Sequence, residues 1–261
     1  MNNNVSLSPR TIVLILGAMA FFLVIAGLAG QLTPNLTGHG EVVTLFNFNS
    51  ERNIPAFFST LLILGATLLL AVIAVFKRAG GAAYTVYWVI LACGFMFMAV
   101  DEAMSLHEKL NEPMSWLLGK ERAGIFYFPW VFAGIGIVIV LGLVFLRFLL
   151  HLPVKTRLLF LAAAALYLGG AIVVELLGNH FAAVHGTKSW RFVVSGAIEE
   201  GLEMAGMIVF IFALLKYIAE FYGEVRFRFQ GPDDDTSGRR RFPSTVNPVG
   251  AGSSLERRHI R

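Results

Sequence analysis

Residues Tyr84–Lys109 read YTVYWVILACGFMFMAVDEAMSLHEK. From Tyr84 to Val100 there is no charged residue; then Asp101, Glu102, His107 and Glu108 arrive within eight positions. An uncharged apolar run of this length is the signature of a bilayer-spanning helix. Ionisable groups at or inside the end of such a helix are costly to desolvate and mark a site.

Working outward, the same apolar pattern recurs. Spans are expected at about 11–30, 56–76, 84–104, 130–150, 158–178 and 194–218. Of the 261 residues, 56% are apolar and 15% charged, against roughly 25% charged in soluble domains. Mean hydropathy is +0.70. The expected fold is an all-α polytopic membrane protein, a bundle of six transmembrane helices. The apolar core of the first run exceeds the ~7–15 residues of a signal-peptide core, which favours an uncleaved anchor. Pro55 stands at the start of the second run, where its missing N–H costs nothing. Trp116, Tyr127 and Trp130 fit an interfacial aromatic belt.

Residues 1–221 form the expected transmembrane domain. From residue 222 the chain turns polar, with Asp233–Asp235, Arg239–Arg241 and scattered Gly, Pro and Ser, and reads as a disordered tail. Most of the +4 net charge lies in that tail, so it does not indicate nucleic-acid binding. Cys93, the single cysteine, lies in an apolar run and can supply neither an intrachain disulfide nor a paired-cysteine metal site.

Six spans put both termini on one side, and Lys and Arg select which. With the termini inside, the inner segments hold Arg10, Lys77, Arg78, Arg147, Lys155, Arg157, Lys216, Arg226 and Arg228; the outer ones hold Arg52, Lys109, Lys120, Arg122, Lys188 and Arg191. That bias favours cytoplasmic termini. The tail would then be free to contact a protein partner or anionic lipid.

This topology brings separate acids to one depth. Asp101 and Glu102 close the third span, with His107 and Glu108 a turn beyond. Glu175 falls in the last turn of the fifth, with His180 just past it, and Glu199, Glu200 and Glu203 occupy the first turns of the sixth. At about 100° per residue, Glu199, Glu200 and Glu203 share one face. Asp101, Ser105 and Glu108 form a stripe, which Glu102 and His107 flank on opposite sides. A regular helix could not aim Glu102, His107 and Glu108 at one point, so a break after Met104 is expected.

Several carboxylates in low dielectric need a bound cation, bound protons or basic partners. Acids plus a histidine in a helical bundle suit one or two divalent ions: iron, manganese or zinc. The expected ligands are Asp101, Glu102, His107, Glu108, Glu175, Glu200 and Glu203, with Glu199 and His180 secondary. Neither Glu-x-x-His nor His-x-x-x-His spacing occurs among these residues: Glu102 precedes His107 by five, as Glu175 does His180.

Asn53–Ser59 (NIPAFFS), Asp101–Glu108 (DEAMSLHE) and Glu199–Met204 (EEGLEM) together resemble a bacterial family of six-span integral membrane proteins, over roughly residues 10–220. The resemblance implies a bacterial inner-membrane location and a shared polar cluster, and no reaction. Three functional classes stay open: a metal-dependent membrane enzyme acting on a lipophilic substrate, a proton- or cation-coupled transporter, and a non-catalytic assembly or sensing subunit.

Overall fold

The computed structural model describes residues 8–32, 45–48, 53–118, 124 and 127–223. The expected tail therefore lies, from residue 224, outside the described residues. Helix α1 spans Pro9–Leu32, α2 Ile54–Ala79 and α3 Thr85–Met104. A 3₁₀ turn, His107–Leu110, and a short α4, Asn111–Leu118, follow. Next come α5, Trp130–His151, and α6, Val154–Leu168; α6 continues through a π-helical segment, Gly169–Val174, into α7, Glu175–His185. Helix α8 closes the bundle at Trp190–Tyr222. Six helical stretches are long and apolar enough to cross a membrane: α1, α2, α3, α5, the continuous α6–π–α7 rod, and α8. Each contains or closely matches an expected span.

Helix α8 is the axis, packing against α1, α2, α6, the π segment and α7, while α3 packs chiefly on α2. Leu62, Ile63, Ala66, Leu70 and Ile73 of α2 recur at helical spacing and are buried, as are Met204, Met207, Ile208, Ile211 and Leu214 of α8. Lipid tails are as apolar as these side chains, so association rests on close packing rather than on expulsion of water. Glycine supplies that closeness at two levels. A Cβ at Gly206 would stand 2.7 Å from the Tyr167 nitrogen and 2.9 Å from the Ala163 oxygen. One at Gly170 would meet the Glu199 oxygen at 2.8 Å. The α6–π–α7 rod and α8 thus touch backbone to backbone. On the outside, Leu14, Phe21, Leu68 and Leu143 are exposed as lipid-facing residues should be.

Two helices run longer than their apolar runs suggest, and this moves the acids. The fifth expected span stops at residue 178, which puts Glu175 in a last turn. The observed rod continues to His185, ten residues past Glu175, or about 15 Å at 1.5 Å per residue. Helix α8 begins at Trp190, so Glu203 lies thirteen residues, about 20 Å, inside it. The extension was hidden because Asn179, His180 and His185 ended the apolar run. Asn179 is nevertheless fully buried, because its amide accepts from the Phe128 N–H at 3.2 Å and donates to the Phe128 carbonyl at 3.4 Å. Buried amides need such partners. Glu175, Glu199, Glu200 and Glu203 consequently lie within the helical body, not at frayed ends.

Candidate functional site: a carboxylate chamber

The α3 terminus is the first wall. Ser105 takes a left-handed conformation (φ 47°, ψ 48°) and ends the helix, its N–H bonding back to the Asp101 carbonyl. The break expected after Met104 is present. It turns the chain so that one oxygen of Asp101 accepts from the His107 N–H at 2.8 Å, while the other meets His107 Nδ1 at 3.0 Å. Asp101 is thereby committed to positioning His107, and it no longer shares a helical stripe with Glu108. Burial alone would depress the imidazole. The hydrogen bond from Asp101, with the charges of Asp101, Glu102 and Glu108, outweighs it and holds the His107 pKa above its ordinary value. Glu108 is exposed and acts on the site through that charge.

The second wall begins at α5. The Trp130 ring lies 4.5 Å from the His107 ring, centroid to centroid, and its backbone N–H is held by the Asn111 side chain at 3.1 Å. The Trp130 side chain also lies beside the Glu175 carboxyl group. Trp130 therefore belongs to the site rather than to an interfacial belt.

The π segment ends immediately before Glu175. Its wider turn carries one extra residue and resets the phase of the rod, as π-bulges at functional sites commonly do. Glu175 is delivered to the vicinity of Glu199 of α8, within electrostatic reach of its carboxyl group.

Helix α8 completes the chamber. Glu203 lies within electrostatic reach of Glu102, Glu200, Glu199 and Glu175, and Glu200 within reach of Glu102. The charged groups these acids meet are one another, Asp101 and His107; no Lys or Arg of the described residues is among them. Tyr167, on α6, faces Glu203, Glu102 and Glu200. Val24 of α1 packs against Gly201. Among the described residues, two buried side-chain polar atoms lack a hydrogen-bond partner: Glu200 Oε2 and Ser59 Oγ of α2.

Of the expected residues, Glu102, His107, Glu175, Glu199, Glu200 and Glu203 come together, with Asp101 as the support of His107. Glu199, ranked second from the sequence, is central because it stands beside Glu175. His180 is exposed on α7, beside Phe181, and is not brought into the chamber. Trp130, Tyr167 and Asn179 were not anticipated, since nothing in their local sequence separates them from ordinary aromatic and loop residues.

The family described as "Domain of unknown function (DUF8692)" matches residues 12–218. The chain belongs to that family. The DUF8692 match takes in all six membrane-length helices and every chamber residue, and stops before the tail. No curated protein and no solved structure matches the chain.

The metal expectation can be tested against the donors. Carboxylate oxygens with one imidazole suit a hard or borderline divalent cation, and Glu200 Oε2 is a donor with nothing else to bind. Yet among the described residues no three His, Cys, Asp or Glu side chains are grouped to hold an ion. Asp101 is spent on His107.

Proposed function

We propose that this protein binds protons in the carboxylate chamber and exchanges them for a cation, as a proton- or cation-coupled membrane protein of the bacterial inner membrane with both termini cytoplasmic. One observation carries the reading: acids from three helices face one another inside the helical body, with His107 beside them and no Lys or Arg of the described residues among them. Such a cluster requires positive charge from outside the protein, and protons or a cation are what can supply it. The excess of Lys and Arg on the inner segments supports the orientation, which places the chamber in the outer half.

The exchange has a simple chemistry. A cation entering among Glu102, Glu200 and Glu203 displaces protons from them, and Glu175 and Glu199 give up a proton when the local charge turns positive. His107, tied to Asp101, is the group through which protons reach solvent. Metal binding to such ligands releases protons. The test is to add Mn²⁺ or Mg²⁺ to the purified protein in weak buffer and record proton release. At least one proton per bound ion is expected, and liposomes should show cation-dependent proton flux. Absence of both would end this reading.

A second reading is favoured by the partnerless Glu200 oxygen: a metal-dependent enzyme acting on a lipophilic substrate, in which Glu102, Glu200 and Glu203 would have to draw together to hold iron, manganese or zinc. A bound ion there would activate water, and Glu199 would be placed as general base. Metal analysis separates the two, since an enzyme cofactor stays at near one equivalent through purification and a transported cation does not.

A further inference from the structure

At the end of the bundle opposite the acids, the C-termini of α2, α5 and α8 meet the N-termini of α3 and α6 around a cavity of about 160 Å³. Lys77, Tyr84, His151 and Tyr217 line it, with Trp88 and Phe148 among its walls. The Lys77 ammonium sits 5.4 Å from the Tyr217 ring centre and 5.6 Å from that of Phe221. Tyr222 also lies close to the ammonium. No carboxylate among the described residues pairs with it. The His151 ring stacks on Tyr84 at 4.5 Å. Tyr84 itself has φ 63°, a left-handed backbone that an aromatic residue adopts only when its surroundings impose it. Arg78, Arg147, Lys155, Arg157 and Lys216 lie on the segments at the same end.

We propose that this cavity binds a phosphate group, with Lys77 as the charge that holds it and His151, Tyr84 and Tyr217 as further donors. An ammonium with several neutral donors around it suits a compact oxyanion with many acceptor oxygens; flat bidentate recognition of a carboxylate would call for Arg. The aromatic walls suit the apolar stem attached to such a group. The phosphate can belong to an anionic lipid headgroup of the adjoining leaflet or to a soluble phosphate compound, and the cavity chemistry is the same for both.

The test uses the full chain in detergent, with native mass spectrometry after addition of phosphatidylglycerol or phosphatidylcholine and, separately, titration with inorganic phosphate. The expected result is retention of one phosphatidylglycerol, one phosphate ion, or both, weakened fivefold or more in Lys77→Gln. Lys216→Gln, at the same end but outside the cavity, should change it less than twofold. Lipid retention assigns the site to a headgroup, and phosphate binding alone assigns it to a soluble compound. If Lys77→Gln does not fold, His151→Gln serves as the variant, with at least a threefold loss expected. Binding of neither probe, equal retention of the two lipids, or equal losses in the Lys77 and Lys216 variants would overturn the proposal.

Discussion

At the scale of single residues, Asp101 and Glu200 separate two kinds of acid in the site. Asp101 is satisfied: both oxygens are bound to His107, in a pair whose side chains are 26% and 29% exposed. The histidine pKa is raised, so the pair's stabilisation is full below the unfolded imidazole value of about 6.5 and fades as pH rises through the folded value. Asp101→Asn keeps the backbone hydrogen bond but removes the charge. It should lower the His107 pKa toward its ordinary value, as read by NMR of the ring, and cost about 1 kcal/mol at pH 5.5, with much less at pH 9. Glu200 is the opposite case, a buried acid with one oxygen unmatched. Replacing such a group by an apolar side chain of similar size is commonly stabilising by about 1–4 kcal/mol. Glu200→Met should therefore raise the thermal midpoint while abolishing cation-linked proton release. A lower midpoint with release retained would make Glu200 structural.

At the scale of elements, close packing of the α6–π–α7 rod on α8 fixes the positions of the chamber acids. Gly206→Ala forces a methyl group into the backbone of Ala163 and Tyr167 and should destabilise by about 1–3 kcal/mol, in line with overpacking elsewhere. Gly136→Ala in α5 meets nothing within 4 Å and should be neutral or slightly stabilising. Thermal unfolding of both variants in one detergent compares them directly. The π segment gives a sharper test. Inserting one alanine between Val174 and Glu175, at the end of the π segment, adds about 100° and turns Glu175 away from α8. Circular dichroism should keep its helical content, while release of the proton from Glu175 and Glu199 is lost. Retained release would separate the π segment from the site.

On the scale of the whole molecule, the bundle was legible in the sequence because the lipid core demands length and hydropathy, and both can be read residue by residue. The convergence of acids followed from topology alone, since alternate helices return to the same side. The break after Met104 was also legible, because Glu102, His107 and Glu108 could not share a point on a regular helix. What escaped depended on partners distant in sequence. Asn179 looked like a loop residue until Phe128 satisfied it, and α7 therefore looked shorter than it is. Trp130 looked interfacial until Glu175 and His107 met it. The π segment at Gly169–Val174 left an apolar, glycine-containing run with no local signal of extra width. These are the features that draw the acids inside the helical body and make the site a chamber rather than a solvated rim.

That enclosure makes the protonation state of the acids the central claim. Infrared difference spectroscopy of the purified protein, before and after Mn²⁺ or Mg²⁺, reads it through the C=O band of protonated carboxyl groups. The account predicts such a band near neutral pH, its loss on cation binding together with the released protons, and its reduction in Glu199→Gln. A spectrum with no protonated carboxyl at neutral pH, unchanged by either cation, would contradict it.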